Sequence, residues 1–367
     1  MRVVIDGLSI LPGSNQIVVD HLLGAWVRAY PDDELHLLVG PDAGLSIPEG
    51  VQTRTVDLGA RRHLGRLRAQ ATLVPRLCRA VGADVMLGTI PSTTVTRLPC
   101  PRAIIAWDLR HELRPEQFSS SARWVRKVSY DVGFRQADAI ITISERTRDD
   151  LLRSRPWLQG RAVRAAQLGG DHADVWPRTA TAEPYALTFG QWSNKNVGLV
   201  LDAWDLLRKR GQARPLTVVG LGTSAREALA ADLARRGLQD LVRLQPWLTD
   251  EEFRGCFASA DLIVFPSDFE GFGLPAVEAM RLGIPLVITP EPALLEVTGG
   301  HAAVTTDWTA GALADAVMTA GGATDADLAA ARAQAARFTW QRTAEHTRAA
   351  LAEVVEQAQS ERSSRST

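Results

Sequence analysis

Cysteine, lysine, net charge and long apolar runs are all scarce in this chain, and each scarcity removes a class of protein. Its three cysteines, Cys78, Cys100 and Cys256, show no CxxC spacing. That excludes a disulfide-built fold and a structural zinc site, and three free thiols in a reducing compartment are expected. No apolar run approaches the roughly 18 residues that suggest a membrane span. The opening MRVVIDGLSI places Asp6 inside a short apolar run without a basic flank; a first strand is expected there, not a secretory leader, and with it a cytoplasmic location. A formal charge of −1 supplies no basic field for nucleic acid, so no such partner is expected. Lysine occurs only at Lys127, Lys195 and Lys209 among many arginines, which makes the position of each lysine informative.

What is present is an ordinary globular composition, 46% hydrophobic and 23% charged, over 367 residues. That length exceeds what one core usually serves, and two domains are expected. Short β-branched runs at residues 2–6, 35–39, 85–87, 102–106 and 139–143 alternate with helical patterns, the first capped by Ser14 or Asn15 and carrying Val18, Leu22 and Ala25. A second series has strands at 185–189, 216–219, 241–244, 261–265, 285–288 and 302–305 and helices at 196–210 and 274–282. Strands apolar on both faces alternating with helices predict an α/β fold of parallel βα units. The Pro-containing segment 176–184 is the expected linker, which divides the chain into domains 1–178 and 179–340. A helix over 341–358, packing back towards the N-terminal domain, and a polar, disordered tail over 359–367 are expected to follow.

The densest chemistry lies in residues 261–289, DLIVFPSDFEGFGLPAVEAMRLGIPLVIT. A strand is expected to end at Pro266, a loop with Glu270, Gly271 and Gly273 to follow, and Pro275 to open a helix, where its missing N–H costs nothing. Glycines admit close backbone approach, and the amides and dipole of a helix start suit a phosphate. Glu278, expected in the first turn of that helix near Glu270, adds a second carboxylate able to accept from sugar or ribose hydroxyls. The plainer reading is that both acids only complement the helix dipole. In LTFGQWSNKNVGLVLDAWDLL, residues 187–207, a strand ends at Gly190 and a loop delivers Lys195 and Asn196 to the next helix. A lysine there opposes the dipole, and suits the charge building on a departing diphosphate.

The EGFGLP run of residues 270–275 with Glu278, continued through Ala279, Gly283 and Pro285, resembles the retaining glycosyltransferases of the GT-B fold, specifically the large family 4 group (glycosyl transferases group 1). The resemblance implies two Rossmann-like doubly wound domains facing across a cleft. It implies an enzyme that moves a sugar, with retention, from a nucleotide-diphosphate sugar to a hydroxyl acceptor on a glycan, glycolipid or natural product, polysaccharide biosynthesis included. It implies no cofactor and no metal. By resemblance Glu278 binds the donor ribose, Glu270 contacts the transferred sugar, the backbone around Gly271, Phe272, Gly273 and Leu274 holds the diphosphate, and Lys195 neutralises it, with Asn196 and Gly190 alongside. The loop 8–16 brings Gly13 near the donor. Fainter likenesses cover 139–152, 167–177, 218–222 and 338–340. Two departures stand out. Asn194 and Gln191 occupy places where relatives frequently carry arginine, and Trp107–Asp108 stands where many carry a His–Asp pair facing the acceptor. Asp108 is expected to orient an acceptor hydroxyl, and Trp107 to stack on the acceptor; a buried Trp beside a capping Asp is the competing reading.

Other signals are weaker. GLG at 220–222 lacks a third glycine, Ala225 standing in its place, and argues against a dinucleotide site. Asp325 and Asp327 are read as helix-capping residues. The acid-free stretch 61–80 holds Arg61, Arg62, Arg66, Arg68, Arg76 and Arg79 with Leu64, Leu67, Val74 and Leu77 at helical spacing, and offers a peripheral contact with an anionic membrane surface or, more plainly, a solvated helix. Two other functions stay open: a non-catalytic subunit that binds a nucleotide sugar, motivated by Trp107, Gln191 and Asn194, and a nucleotide-sugar epimerase.

Overall fold

The computed structural model describes residues 1–179, 181 and 183–365, Arg365 by its backbone only. The chain forms two compact units, one of Met1–Gly169 with Thr339–Thr367 and one of Gly170–Phe338.

The first unit holds strands β1 (Arg2–Gly7), β2 (Glu34–Val39), β3 (Val51–Thr55), β4 (Val85–Gly88), β5 (Arg102–Ala106), β6 (Ala139–Thr142) and β7 (Ala162–Ala165). Between them run α1 (Ser14–Ala29), α2 (Arg62–Val81), α3 (Arg110–Leu113), α4 (Ser120–Gln136) and α5 (Glu145–Ser154). The strands form one sheet in the order β3-β2-β1-β4-β5-β6-β7 with every pairing parallel. Central strands such as VMLG and AIIT are buried throughout, as expected where helices cover both faces. Strands β3 and β7 escape the sequence reading because they are edges: VQTRT is almost wholly exposed and AVRA buries one residue.

The second unit holds β8 (Ala186–Phe189), β9 (Leu216–Val219), β10 (Val242–Leu244), β11 (Leu262–Phe265), β12 (Leu286–Ile288) and β13 (Ala303–Val304), with α6 (Val197–Lys209), α7 (Thr223–Arg236), α8 (Asp250–Ala258), α9 (Leu274–Leu282), α10 (Pro292–Thr298), α11 (Ala310–Gly321) and α12 (Asp325–Ala335). Its parallel sheet runs β10-β9-β8-β11-β12-β13, and Trp204, Leu207 and Val218 sit fully buried in its core. Each sheet is doubly wound. Strand order reverses between β1 and β4 in the first and between β8 and β11 in the second, and ligands of such sheets bind outside the carboxyl ends of the strands at that reversal.

The boundaries differ from the sequence expectation. The chain passes between units at Gly169–Gly170 and at Phe338–Thr339, not at 178/179 and 340/341. The segment from residue 171 is no linker: Asp171–Val175 forms a 3₁₀ turn, and Trp176 packs edge-on against Phe257 at 5.3 Å and Phe253 at 6.2 Å. Prolines and polar residues imitate a linker, while a single tryptophan anchors the segment. At the other end, α13 (Trp340–Arg365) continues past residue 358, so residues 359–365 are helical where a disordered tail was expected; residues 366 and 367 lie outside the described residues. Arg362 on this extension donates to the Pro99 carbonyl at 2.8 Å.

Helix α13 belongs to the first unit. Trp340 stacks on His21 at 5.2 Å, and Arg348 donates two hydrogen bonds to the Asp33 carboxylate, at 2.7 and 3.1 Å. The Met1 amino group and the Trp26 indole reach the same carboxylate at 2.6 and 2.9 Å. Burial opposes ionisation of Asp33, but bonds from Arg348, the amino terminus and Trp26 outweigh it and hold its pKa at about 2. A depressed acid stabilises the fold above its unfolded pKa, and loses that contribution as pH falls towards the folded value. Asp33→Asn should therefore cost about 2 kcal/mol at neutral pH, and the gap in melting temperature between wild type and variant should close as pH is lowered from about 5 towards 2.

Candidate functional site

The strand-order reversal of the second sheet places two loops side by side, Gly190–Asn196 after β8 and Pro266–Gly273 after β11. Gly190 is required by packing, because a Cβ there would lie 2.4 Å from Leu221 Cδ2. Asn196 adopts a left-handed conformation with φ of 52°, the one positive φ outside glycine among the described residues. Asparagine tolerates this better than most residues, and its Nδ2 donates to the Pro266 carbonyl at 2.9 Å. Asn194 lies buried between the loops, its Nδ2 reaching Ser267 Oγ at 2.9 Å, the Phe269 carbonyl at 2.8 Å and Glu270 Oε1 at 3.2 Å. The Asp268 amide returns a bond to the Asn194 carbonyl at 3.0 Å.

This frame positions Lys195. Its Nζ stands 2.6 Å from Glu270 Oε1 and 4.4 Å from the centre of the Phe265 ring, and its side chain is 9% exposed. Ser267 Oγ donates to the same Glu270 oxygen at 2.5 Å. An ion pair so nearly dehydrated costs several kcal/mol per ion, and its attraction repays that only with further hydrogen bonds, which Ser267 and Asn194 supply.

The glycine run then opens α9. Gly273 is its N-cap at φ 98°, and a Cβ there would come 2.6 Å from Leu294 Cδ2, so glycine is required for both conformation and space. Leu274 and Pro275 start the helix. Phe272 is buried and meets Phe338 edge-on at 5.7 Å; Gly271 is half-buried beside it. Glu278 lies in the second turn of α9, not the first. Its Oε1 is 3.0 Å from His172 Nε2, both side chains being nearly buried. His172 in turn meets Trp176 edge-on at 5.6 Å.

Sequence reasoning missed three members of this cluster. Ser267 lies within the quoted motif but bears no charge, Asn194 was read only as a missing arginine, and His172 sits 106 positions from its partner Glu278. Gln191, at the other departure, is exposed and lies over Gly220, where a Cβ would be 2.8 Å from its Oε1.

The first-unit candidates have local partners. The Trp107 indole donates to the Thr89 carbonyl at 2.7 Å, and Asp108 Oδ1 accepts from the Arg110 amide at 2.9 Å at the start of α3. Gly13 is the N-cap of α1, at φ 125°. A buried acid that the sequence reading left within a strand is at the β1–β4 reversal: Asp6 accepts from Thr93 Oγ1 at 2.5 Å, Gln70 Nε2 at 2.8 Å and the Leu8 amide at 3.3 Å. Burial pushes its pKa up against the pull of those bonds. In α2 the expected apolar stripe divides: Val74 and Leu77 are buried, whereas Leu64 and Leu67 are more than half exposed.

Residues 183–320 match the family of glycosyl transferases group 1. Among curated relatives, the MMP alpha-(1->4)-mannosyltransferase of Mycolicibacterium hassiacum is 32% identical over 193 residues, 49% of this chain and 46% of that protein. The O-antigen chain mannosyltransferase B of Escherichia coli is 29% identical over 177 residues, 44% of this chain and 46% of that protein. The matches thus span somewhat under half the length of these relatives. Among solved structures, Anabaena HepE in complex with UDP and glucose superposes with a TM-score of 0.71 at 19% identity, over 96% of this chain and 99% of that one. Residues 183–320 of the Gly170–Phe338 unit are thus similar to the glycosyl transferases group 1 family, in a chain whose two Rossmann-like units have the GT-B fold.

Proposed function

We propose that this chain is a retaining glycosyltransferase that moves a sugar from a nucleotide-diphosphate sugar, held by the Gly170–Phe338 unit, to a hydroxyl acceptor. The observation that carries the reading is the buried Lys195–Glu270 pair at the β8–β11 reversal, 2.6 Å apart, next to the Gly273 helix start. A lysine held there has a ready exchange of partners: diphosphate oxygens can replace the Glu270 carboxylate on Nζ, which frees Glu270 for hydroxyls of the transferred sugar. The amides at the start of α9 and its dipole favour the same anion. Glu278, oriented by His172, is assigned to the ribose hydroxyls.

In this mechanism the sugar–diphosphate bond breaks, the leaving charge falls on Lys195 and the α9 amides, and the acceptor hydroxyl attacks from the face the diphosphate leaves. A diphosphate oxygen takes the acceptor proton. The protein's contribution is orientation and electrostatic stabilisation, so neither a metal nor a dedicated base is assigned. Asp108, whose Oδ1 accepts from the Arg110 amide, is assigned to orient the acceptor hydroxyl through its other oxygen, and Trp107, fixed by its indole bond to the Thr89 carbonyl, to stack on the acceptor. Both named curated relatives are mannosyltransferases, which supports mannose as the first donor sugar to try. The exposed Leu64 and Leu67 beside Arg61 and Arg68 support a peripheral contact with an anionic membrane; among the described residues no helix is long and apolar enough to cross one.

A thermal-shift panel of UDP, GDP, ADP and dTDP and their sugars tests the donor site. One nucleotide at 100 times its Kd should stabilise the protein by about 2.7 kcal/mol, and Gly273→Ala should abolish the shift. Lys195→Ala should lower kcat by about 100-fold or more, with a smaller change in donor affinity. A panel without any shift overturns the donor assignment; binding with no transfer to any acceptor favours the non-catalytic subunit. Leu64→Glu with Leu67→Glu should reduce co-sedimentation with anionic vesicles and leave the nucleotide shift unchanged.

A further inference from the structure

Away from the candidate donor site, at the amino-terminal ends of β4 and β5, a cavity of about 360 Å³ is lined by Cys78, Arg79, Asp84, Cys100 and Arg362. Cys78 is in the last turn of α2 and completely buried, while Cys100 precedes β5 and is half-buried. They belong to one apolar cluster, together with Leu77 and Met86. The two thiols border the same cavity and influence each other: the neighbouring Cys100 and burial push Cys78 up, while Cys78 and the Arg362 and Arg102 guanidiniums draw Cys100 down. Arg362 is held at this place by its bond to the Pro99 carbonyl, one residue from Cys100. The third cysteine, Cys256, is elsewhere, in the second unit, where burial pushes its thiol up while the Tyr185 hydroxyl leans on it.

We propose that Cys78 and Cys100 form a reactive dithiol that hydroperoxide-class oxidants convert to a disulfide. A thiolate is the nucleophile in such chemistry, and cationic surroundings with solvent access select which cysteine reacts first. Cys100 has both: it opens on the cavity and faces two guanidiniums. Its sulfur attacks a peroxide oxygen, the O–O bond breaks, and the departing oxygen leaves as water, with Cys100 now a sulfenic acid. The Cys78 sulfur then attacks the Cys100 sulfur; the S–S bond forms, the S–O bond breaks, and the hydroxide leaves with the Cys78 proton as a second water. Two thiols lose two electrons and two protons, and one peroxide becomes two waters. The product ties the end of α2 to the segment entering β5, beneath the last turns of α13.

The test is intact mass and peptide mapping of the full chain after treatment with hydrogen peroxide near neutral pH. The expected result is a loss of 2 Da and a joined pair of tryptic peptides containing Cys78 and Cys100, with Cys256 still alkylatable. Dithiothreitol should reverse it. Cys78→Ser should instead leave a sulfenic acid on Cys100 that dimedone traps, and Arg362→Gln should slow disulfide formation several-fold. The proposal is overturned if all three thiols survive in wild type, if Cys256 reacts first, or if Cys100 proceeds to sulfinic acid without joining Cys78. Since the wild-type protein alone decides between these outcomes, a variant that fails to fold does not spoil the test.

Discussion

The two loops at the β8–β11 reversal meet at a buried ion pair and the hydrogen bonds around it, and most of the candidate site depends on that. Lys195 and Glu270 have given up nearly all their water, so each needs the other, and Ser267 and Asn194 donate to the same Glu270 oxygen that Lys195 meets. A buried pair of this kind is a poor source of stability compared with an apolar replacement, because its desolvation cost offsets its attraction. In the function proposed above, its value lies in pre-organisation. A lysine already dehydrated and aimed meets an incoming anion without first shedding a hydration shell, which is the condition under which electrostatic stabilisation is strongest. The left-handed Asn196 and the crowded Gly273 are the backbone counterparts of that constraint: one turns the chain into α6, the other into α9.

The two units apply one topology to different ends. Each sheet reverses its order once, and each reversal gathers polar side chains from segments distant in sequence. In the second unit the gathered groups are charged and opposite. In the first, the acid at the reversal, Asp6, faces neutral donors from Thr93 and Gln70, and burial raises its proton affinity. The same Rossmann-like scaffold thus presents a cation–carboxylate pair in one unit and a buried carboxyl held by hydroxyl, amide and backbone donors in the other. Chemistry follows from the loop residues, not from the sheet.

Much of this was legible in one dimension, because the responsible forces are local. Apolar runs such as LIVF and AIIT had to become buried parallel strands. The glycine, proline and glutamate spacing of residues 270–278 marked the start of α9, and that stretch carried the family resemblance. Errors arose where distant residues override a local pattern. Residues 176–184 read as a linker until Trp176 is seen against Phe253 and Phe257, and residues 359–365 read as a loose tail until Arg362 is seen on Pro99. The edges β3 and β7 lack the double-sided apolar pattern because one face or more meets solvent.

By itself, then, the sequence determined the α/β class, the existence of two domains and the position of the glycine-rich loop that opens α9, since periodicity, turn chemistry and helix capping act over a few residues. Only the tertiary structure decided the partners. Glu278 is given to His172 across 106 positions, Asn194 to Ser267 across 73, and Arg348 to Asp33 across 315. The order in which parallel strands pair selects these contacts, and side-chain pairing over such separations leaves no periodic trace in the chain.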